Sequence, residues 1–477
     1  MECKPLISIR NGVPRHPDFR MREPVNLNIQ QGEQVAIIGP NAAGKTRLVE
    51  ILTGRWPLLS TGEISYHFPN ALHRLASENI RQLSFRDSYG DSDQSYYLQQ
   101  RWNQHDIDDA TPTVGQLLKA VNADEELRAQ LYTLFQLEPM LDKYIISLSS
   151  GELRKFQLTR TLLTAPRLLI LDNPFIGLDV HARELLRNLL DKLVHETDLH
   201  LILVVTRTQD IPLFVNRIIR VEGLRVIAQE DDQPHEPQKT LKSQCPQKNL
   251  PSSTPPILRF SNVTIRYGSH VILKDLSWTV HRGERWALSG VNGSGKSTLL
   301  SLVCADNPQA YACDIELFGK RRGTGESIWD IKRHIGYVSP EMHRAYMKDL
   351  PAIDIVASGL HDSVGLYVRP RPEQRQTCIE WMERLGIANL ADRTFLRLSS
   401  GEQRLCLLAR AFVKTPDLLI LDEPFHGLDD ENRLLVTALI EAYCRRQDVT
   451  LIIVSHYEDE LPACITHRLE LQKPECS

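Results

Sequence analysis

The sequence has no Cys-x-x-Cys pair and no close cluster of cysteine with histidine, although nine cysteines are scattered through its 477 residues. Zinc and iron–sulfur centres need ligands at short loop spacings, so neither is supported. An odd number of cysteines without a framework reads as reduced thiols in a cytosolic protein. The amino terminus, MECKPLISIRNG, lacks the apolar core of a signal peptide. Long apolar runs are missing too: stretches such as Leu201–Val205 are strand-sized, far below the roughly 18 residues that span a bilayer. Charge of one sign is also absent. Lys and Arg number 56 against 60 Asp and Glu, a net charge of -4, which argues against a chain built to wrap nucleic acid. What remains is an ordinary globular composition, 42% apolar and 24% charged. At ~150 residues per domain the length allows two large or three smaller compact units, cytoplasmic by expectation.

What the sequence does contain, it contains twice. GPNAAGKT at Gly39–Thr46 returns as GVNGSGKS at Gly290–Ser297, an offset of 251. LSSGE at Leu148–Glu152 returns at Leu398–Glu402, and LLILDNPFIGLD, ending at Asp179, returns as LLILDEPFHGLD, ending at Asp429; both offsets are 250. So consistent an offset means two homologous domains, 1–227 and 257–477. Between them, 228–256 is rich in Pro, Gln, Lys, Asp and Ser, a composition that builds no core and behaves as a tether. Each repeat opens with an apolar run (Val35–Ile38; Trp286–Leu288) that feeds a Gly-rich turn and a helical pattern. Each closes on a run buried on both faces in the manner of a parallel strand. Strands alternating with helices predict a doubly wound α/β core. The stretches Asp91–Ile145 and Met342–Leu396 lack strand signals and predict a helical subdomain in each repeat.

A GxxxxGK[ST] run between strand and helix is a phosphate-binding loop. Its backbone N–H groups close on phosphate oxygens, its Lys reaches the terminal phosphates, and its hydroxyl ligates Mg²⁺. The candidates are Gly39, Pro40, Asn41, Ala42, Ala43, Gly44, Lys45 and Thr46 in the first repeat. In the second they are Gly290, Val291, Asn292, Gly293, Ser294, Gly295, Lys296, Ser297 and Thr298. Strand LLILD brings Asp172 or Asp422 to the mouth of the sheet, where it completes the metal shell begun by Thr46 or Ser297. LSSGE ahead of an amphipathic helix fits a helix cap just as well as a ligand loop, because Ser followed three positions later by Glu is a capping box.

With LSSGE, in the second repeat LSSGEQ through Gln403, beside two phosphate-binding loops and two LLILD strands, the sequence resembles the ATP-binding cassette (ABC) family over nearly all of its length outside the tether. The resemblance implies two tandem P-loop NTPase domains, each with a RecA-like core and a helical subdomain, that bind ATP with Mg²⁺. It also implies composite sites. Lys296, Ser297, Asp422, Glu423 and His456 would act with Ser149 and Gly151, and Lys45, Thr46 and Asp172 with Ser399 and Gly401. Tyr267 takes the place of the family's adenine-stacking aromatic; by offset the first repeat has His16 there.

The repeats differ where chemistry is decided. After LLILD the second has Glu423, which can polarise water, and the first has Asn173, which carries no basic carboxylate. Read along the chain, Val454-Ser455-His456 aligns with Val205-Thr206-Arg207, so Arg207 stands at the position of His456. The expectation is one hydrolysing site, with Glu423, His456 and Lys296 as its catalytic residues, and one site that binds ATP and turns over slowly. The family's Gln after the strand IGYV is absent: Ser339-Pro340-Glu341 follows that strand, and in the first repeat Gln82 precedes Leu83-Ser84-Phe85-Arg86 and arrives too early. The second repeat is similar to tandem cassettes associated with molybdate transport, on Phe318–Ser339 (FGKRRGTGESIWDIKRHIGYVS) and Pro462–Glu470 (PACITHRLE). That points to a partner, a molybdate-type membrane permease, at whose cytoplasmic face the chain would sit peripherally. The alternative is a membrane-free cassette ATPase acting on ribosomes or nucleic acid, against which the short tether of mixed charge counts. Lys320, Arg321, Arg322, Lys332 and Arg333 are read as a solvated basic face.

Overall fold

The computed structural model describes residues 5–69, 75–84, 112–145, 148, 150–175, 178, 180–227, 256–267, 270–340, 342, 346, 349–363, 368–446, 448–455 and 457–473. The chain divides into two compact units, Met1–Gln238 and Lys239–Ser477. Most of the expected tether, 228–255, lies outside the described residues.

In the first unit the apolar runs become the inner strands of a six-stranded sheet. Its order is Ile80–Ser84, Leu168–Asp172, His200–Val205, Val35–Ile38, Arg217–Glu222 and Arg225–Ile227. The first five strands are parallel and the last closes an antiparallel hairpin. Leu168–Leu171 have no exposed surface, as expected for a strand covered on both faces. A three-stranded antiparallel sheet, Val25–Ile29, Ile7–Gly12 and Glu63–Tyr66, forms a second layer. Its strand VNLNI buries Val25, Leu27 and Ile29 and exposes the two asparagines, the alternation of a half-covered sheet.

The second unit repeats the order. Ile335–Val338, Leu418–Asp422, Thr450–Val454, Arg285–Ser289 and His467–Glu470 make an all-parallel sheet. The long hairpin Pro256–Tyr267/His270–His281, with Asp314–Leu317 and Lys320–Arg321, makes the antiparallel one. In both units the strand that leads into the Gly-rich loop lies inside the sheet, with a neighbour from each side, so the loop emerges where ligands bind in doubly wound folds.

The segments without strand signals are helical where described. Val114–Lys119, Glu125–Phe135 and Ser150–Leu162 gather Phe135, Phe156 and Leu158 into one core in the first unit. Ala352–Ala357, Pro372–Arg384 and Ser400–Phe412 surround Trp381, Phe412 and Tyr443 in the second, with Trp381 stacked on Phe412 at 5.1 Å. Residues 91–111 of the expected helical subdomain lie outside the described set. Among the described residues no helix is long and apolar enough to cross a membrane.

Candidate functional site

Each loop turns sharply because the next strand lies against it. A Cβ on Gly39 would stand 2.0 Å from the Val221 carbonyl oxygen, and one on Gly290 would stand 2.5 Å from that of Leu471. Only glycine fits so close a backbone approach. The helices that follow, Lys45–Leu52 and Lys296–Val303, start at Gly44 and Gly295. Neither N-cap has a side chain, so the first-turn amides and the positive end of the dipole face into the loop. Lys45 donates to the carbonyls of Gly39 (2.6 Å) and Pro40 (2.8 Å), and Lys296 to those of Gly290 (2.6 Å) and Val291 (3.0 Å). Both ammonium groups are therefore held by two carbonyls at the start of their own loop. Thr46 and Ser297 are exposed beside them in the first helical turn, with Asn41, Ala42 and Ala43, or Asn292, Gly293 and Ser294, completing each loop and Thr298 half-buried behind. Residues Ala42 and Gly293 share a left-handed backbone, φ 59° and 81°, so the two loops turn alike at this position despite their different residues.

The carboxylates end equivalent strands. Asp422 is buried and Asp172 half-buried. The residue after each adopts the same strained turn, with φ 50° at Asn173 and 48° at Glu423. Asn173 N–H donates to the Val204 carbonyl at 2.8 Å and Glu423 N–H to that of Val454 at 3.0 Å. The backbones superpose in role while the side chains differ: Asn173 Nδ2 donates to Asp172 Oδ1 at 3.0 Å, whereas Glu423 presents a carboxylate with His426 Nδ1 3.9 Å away.

This pairing corrects one alignment. Val204 is the equivalent of Val454, and the central strands agree, since Ile37 pairs with Val204 and Leu288 with Val454. Thr206, not Arg207, is therefore the counterpart of His456, which itself lies outside the described residues. The short helices Thr208–Asp210 and Glu458–Glu460 keep the same offset of 250, and Asp210 and Glu460 are bound by Arg183 (2.7 Å) and Arg433 (3.2 Å). The run of valines had concealed a one-residue slip. Buried Arg207 directly precedes the short helix and donates to Gln209 Oε1 at 2.9 Å.

Ser399 caps helix Ser400–Phe412. It donates from its hydroxyl and its backbone N–H to Glu402 Oε2 (2.8 and 2.7 Å) and accepts from Glu402 N–H (3.3 Å). The capping reading of LSSGE thus holds in the second unit, and Gly401 is buried in the first turn. Gly151 occupies the same place in helix Ser150–Leu162; Ser149 lies outside the described residues. Tyr267 is half-buried at the end of its strand and accepts a bond from Asn307 Nδ2 at 3.0 Å. At the first unit's equivalent, His16 is exposed, 5.1 Å from Phe19, which stacks on Trp56 at 4.0 Å. Gln82 pairs with Ile170 in mid-strand; Ser84 ends that strand and Ser339 follows the corresponding one, and Phe85 and Glu341 are not described.

The basic run is not one solvated face. Lys320, Arg321 and Arg333 are exposed, but the Arg322 side chain has no exposed surface and pairs with Glu326 at 2.5 Å. Burial pushes the Glu326 carboxyl up, yet the N–H groups of Gly323 and Thr324 and the Arg322 charge outweigh it and hold the group below its ordinary value. Lys332 pairs with Asp306 at 2.5 Å.

Three further residues escaped sequence reasoning. Arg404 and Arg154 hold the same place after LSSGE in both repeats, a repeated identity that was legible, and both reach the carbonyl of the proline following Glu423 or Asn173. His426 faces Ile176 in the repeat comparison and carried no such signal.

A family model described as ABC transporter matches residues 22–176 and 273–426. The chain is 36% identical to the ABC transporter ATP-binding protein ModF of Escherichia coli (strain K12), over 97% of this chain and 96% of that one. It is 31% identical to an uncharacterized ABC transporter ATP-binding protein of Schizosaccharomyces pombe, over 95% of both. Among solved structures, archaeal ABCE1 in a model of its ribosome-bound form with Pelota has a TM-score of 0.57 at 20% identity, covering 89% of this chain and 70% of that one. The RNase-L Inhibitor has a TM-score of 0.54 at 19% identity, covering 98% and 84%. At these identities the structural likeness speaks for the fold alone.

Proposed function

The chain belongs to the ABC transporter family, as a tandem ABC ATPase, and we propose on that premise that its two nucleotide sites are unequal, one hydrolysing ATP and the other holding it. The observation that supports this is the single strained turn that carries Glu423 in one unit and Asn173 in the other. A carboxylate there accepts a proton from the attacking water; an amide bonded to Asp172 does not. In the hydrolysing site Lys296 neutralises the terminal phosphates, Glu423 orients the water and His456 contacts the departing phosphate. The resemblance assigns Ser149, Gly151, Ser399 and Gly401 to nucleotide binding as well. Tyr267 would stack on the base. Mg²⁺ suits the donor sets Thr46 with Asp172 and Ser297 with Asp422: a hydroxyl and a carboxylate are hard oxygen ligands, and the remaining positions fall to water and phosphate. When bound, the metal would neutralise charge on the phosphates.

The cellular role we infer is that of the ATP-binding component of molybdate-type oxyanion transport, working with a membrane permease. The extended similarity to ModF supports it. The lack of a Gln after the strand Ile335–Val338, where Ser339-Pro340-Glu341 follows, favours a second reading, in which the ATPase works on a ribosome or another soluble assembly. The test is Glu423→Gln. Its steady-state ATPase should fall by ~10²-fold or more with ATP binding kept, and the trapped closed state should retain its partner on ATP-dependent capture. An integral membrane permease supports the transport role; ribosomes or nucleic acid replace it with the second reading. Unchanged ATPase would remove Glu423 as the base.

A further inference from the structure

We propose that Arg404 is a positioning residue for hydrolysis: its guanidinium joins the helix after LSSGE to the turn that carries Glu423 and to the end of the strand IGYV, and holds the base in place. The inference rests on Glu423 being that base.

Arg404 is 2% exposed, and its donors spread over four main-chain oxygens. Nε donates to Pro424 (3.3 Å), Nη1 to Ser339 (3.1 Å), and Nη2 to Asp422 (2.7 Å) and to Glu423 itself. Three consecutive carbonyls of the catalytic turn thus converge on one planar cation. A left-handed backbone at a residue with a Cβ persists only where its surroundings over-determine it. At Glu423 the N–H is fixed to Val454 and the carbonyl to Arg404, so both peptide planes of the strained residue are pinned from opposite sides. The Ser339 bond extends the hold. Ser339 is fully buried and directly follows the strand Ile335–Val338. Arg404 ties that place to the base through main chain rather than through a side chain. Lysine would keep the charge but not the directions, since its three donors radiate from one atom.

The experiment compares full-length wild type, R404K, R404Q, E423Q and R404K/E423Q by melting temperature, affinity for a fluorescent ATP analogue, and kcat and KM for ATP. R404K should melt within a few degrees of wild type, bind the analogue within about twofold and keep its KM, while kcat falls by ~10- to 10²-fold, the scale of a small misplacement of a catalytic group. The double variant should be no slower than E423Q alone, because the arginine acts through the glutamate. A folded, nucleotide-binding R404K with kcat within twofold of wild type overturns the proposal. So does a loss that multiplies in full with that of E423Q, or failure of both R404K and R404Q to fold, which would make Arg404 structural only. If E423Q itself keeps wild-type turnover, the assignment of the base has failed instead.

Discussion

At the scale of single residues, the turns after the two LLILD strands share a backbone and differ in side chain, and the proposed asymmetry rests on that difference. Asn173 and Glu423 occupy matching turns, so a carboxylate introduced by Asn173→Glu should be presented correctly. It would still lack the imidazole, because Thr206 stands where the second unit has His456. In a Glu423→Gln background, Asn173→Glu alone should therefore raise single-turnover hydrolysis little. Adding Thr206→His should raise it by ~10-fold or more. Equal rates for the single and double changes, read by quenched-flow release of phosphate, would mean that Thr206 is not the limiting difference.

At the scale of elements, the segment 319–327 shows how a polar loop is made rigid. Glu326 accepts N–H bonds from Gly323 (2.9 Å) and Thr324 (2.9 Å) and closes on Arg322, which lies 4.7 Å from the centre of the Tyr311 ring. Both charged side chains are almost wholly buried, at 0% and 2% exposure. Removing one partner strands the other charge and two amides, so Glu326→Ala should destabilise the second unit by ~3–5 kcal/mol. Chemical denaturation followed by the fluorescence of the second unit's tryptophans checks this; a loss under about 1 kcal/mol would mean the pair contributes little beyond a surface bridge. The reading of the basic run as solvated missed this because a run of Lys and Arg does not show which member the fold turns inward. Arg322 alone of the three consecutive cations 320–322 points into the protein.

At the scale of the whole molecule, the duplication makes an internal control. Lys45 and Lys296 have the same bonds to their own loops, so equivalent substitutions perturb equivalent chemistry. Lys296→Ala should reduce steady-state ATP hydrolysis by ~10²-fold or more, because it removes charge stabilisation at the turnover site. Lys45→Ala should reduce it by less than about tenfold, through lost occupancy of the retaining site. Equal losses in a coupled phosphate-release assay would show that the sites contribute equally and that Asn173 is no handicap.

The sequence by itself determined that the chain is two P-loop NTPase domains in tandem, and where each loop, carboxylate strand and helix start lies. Phosphate binding needs consecutive backbone N–H groups at a helix N-terminus, and a strand buried on both faces needs an unbroken apolar run, so these features are written in contiguous residues. Only the tertiary structure decided what depends on pairing between distant segments. Val204 rather than Val205 faces Asn173, which moves the partner of His456 from Arg207 to Thr206; a run of similar apolar residues cannot fix its own register. Arg404 finds Ser339 65 positions away, and Arg322 is buried while its neighbours are not, because those choices follow from which surfaces the packed core brings together.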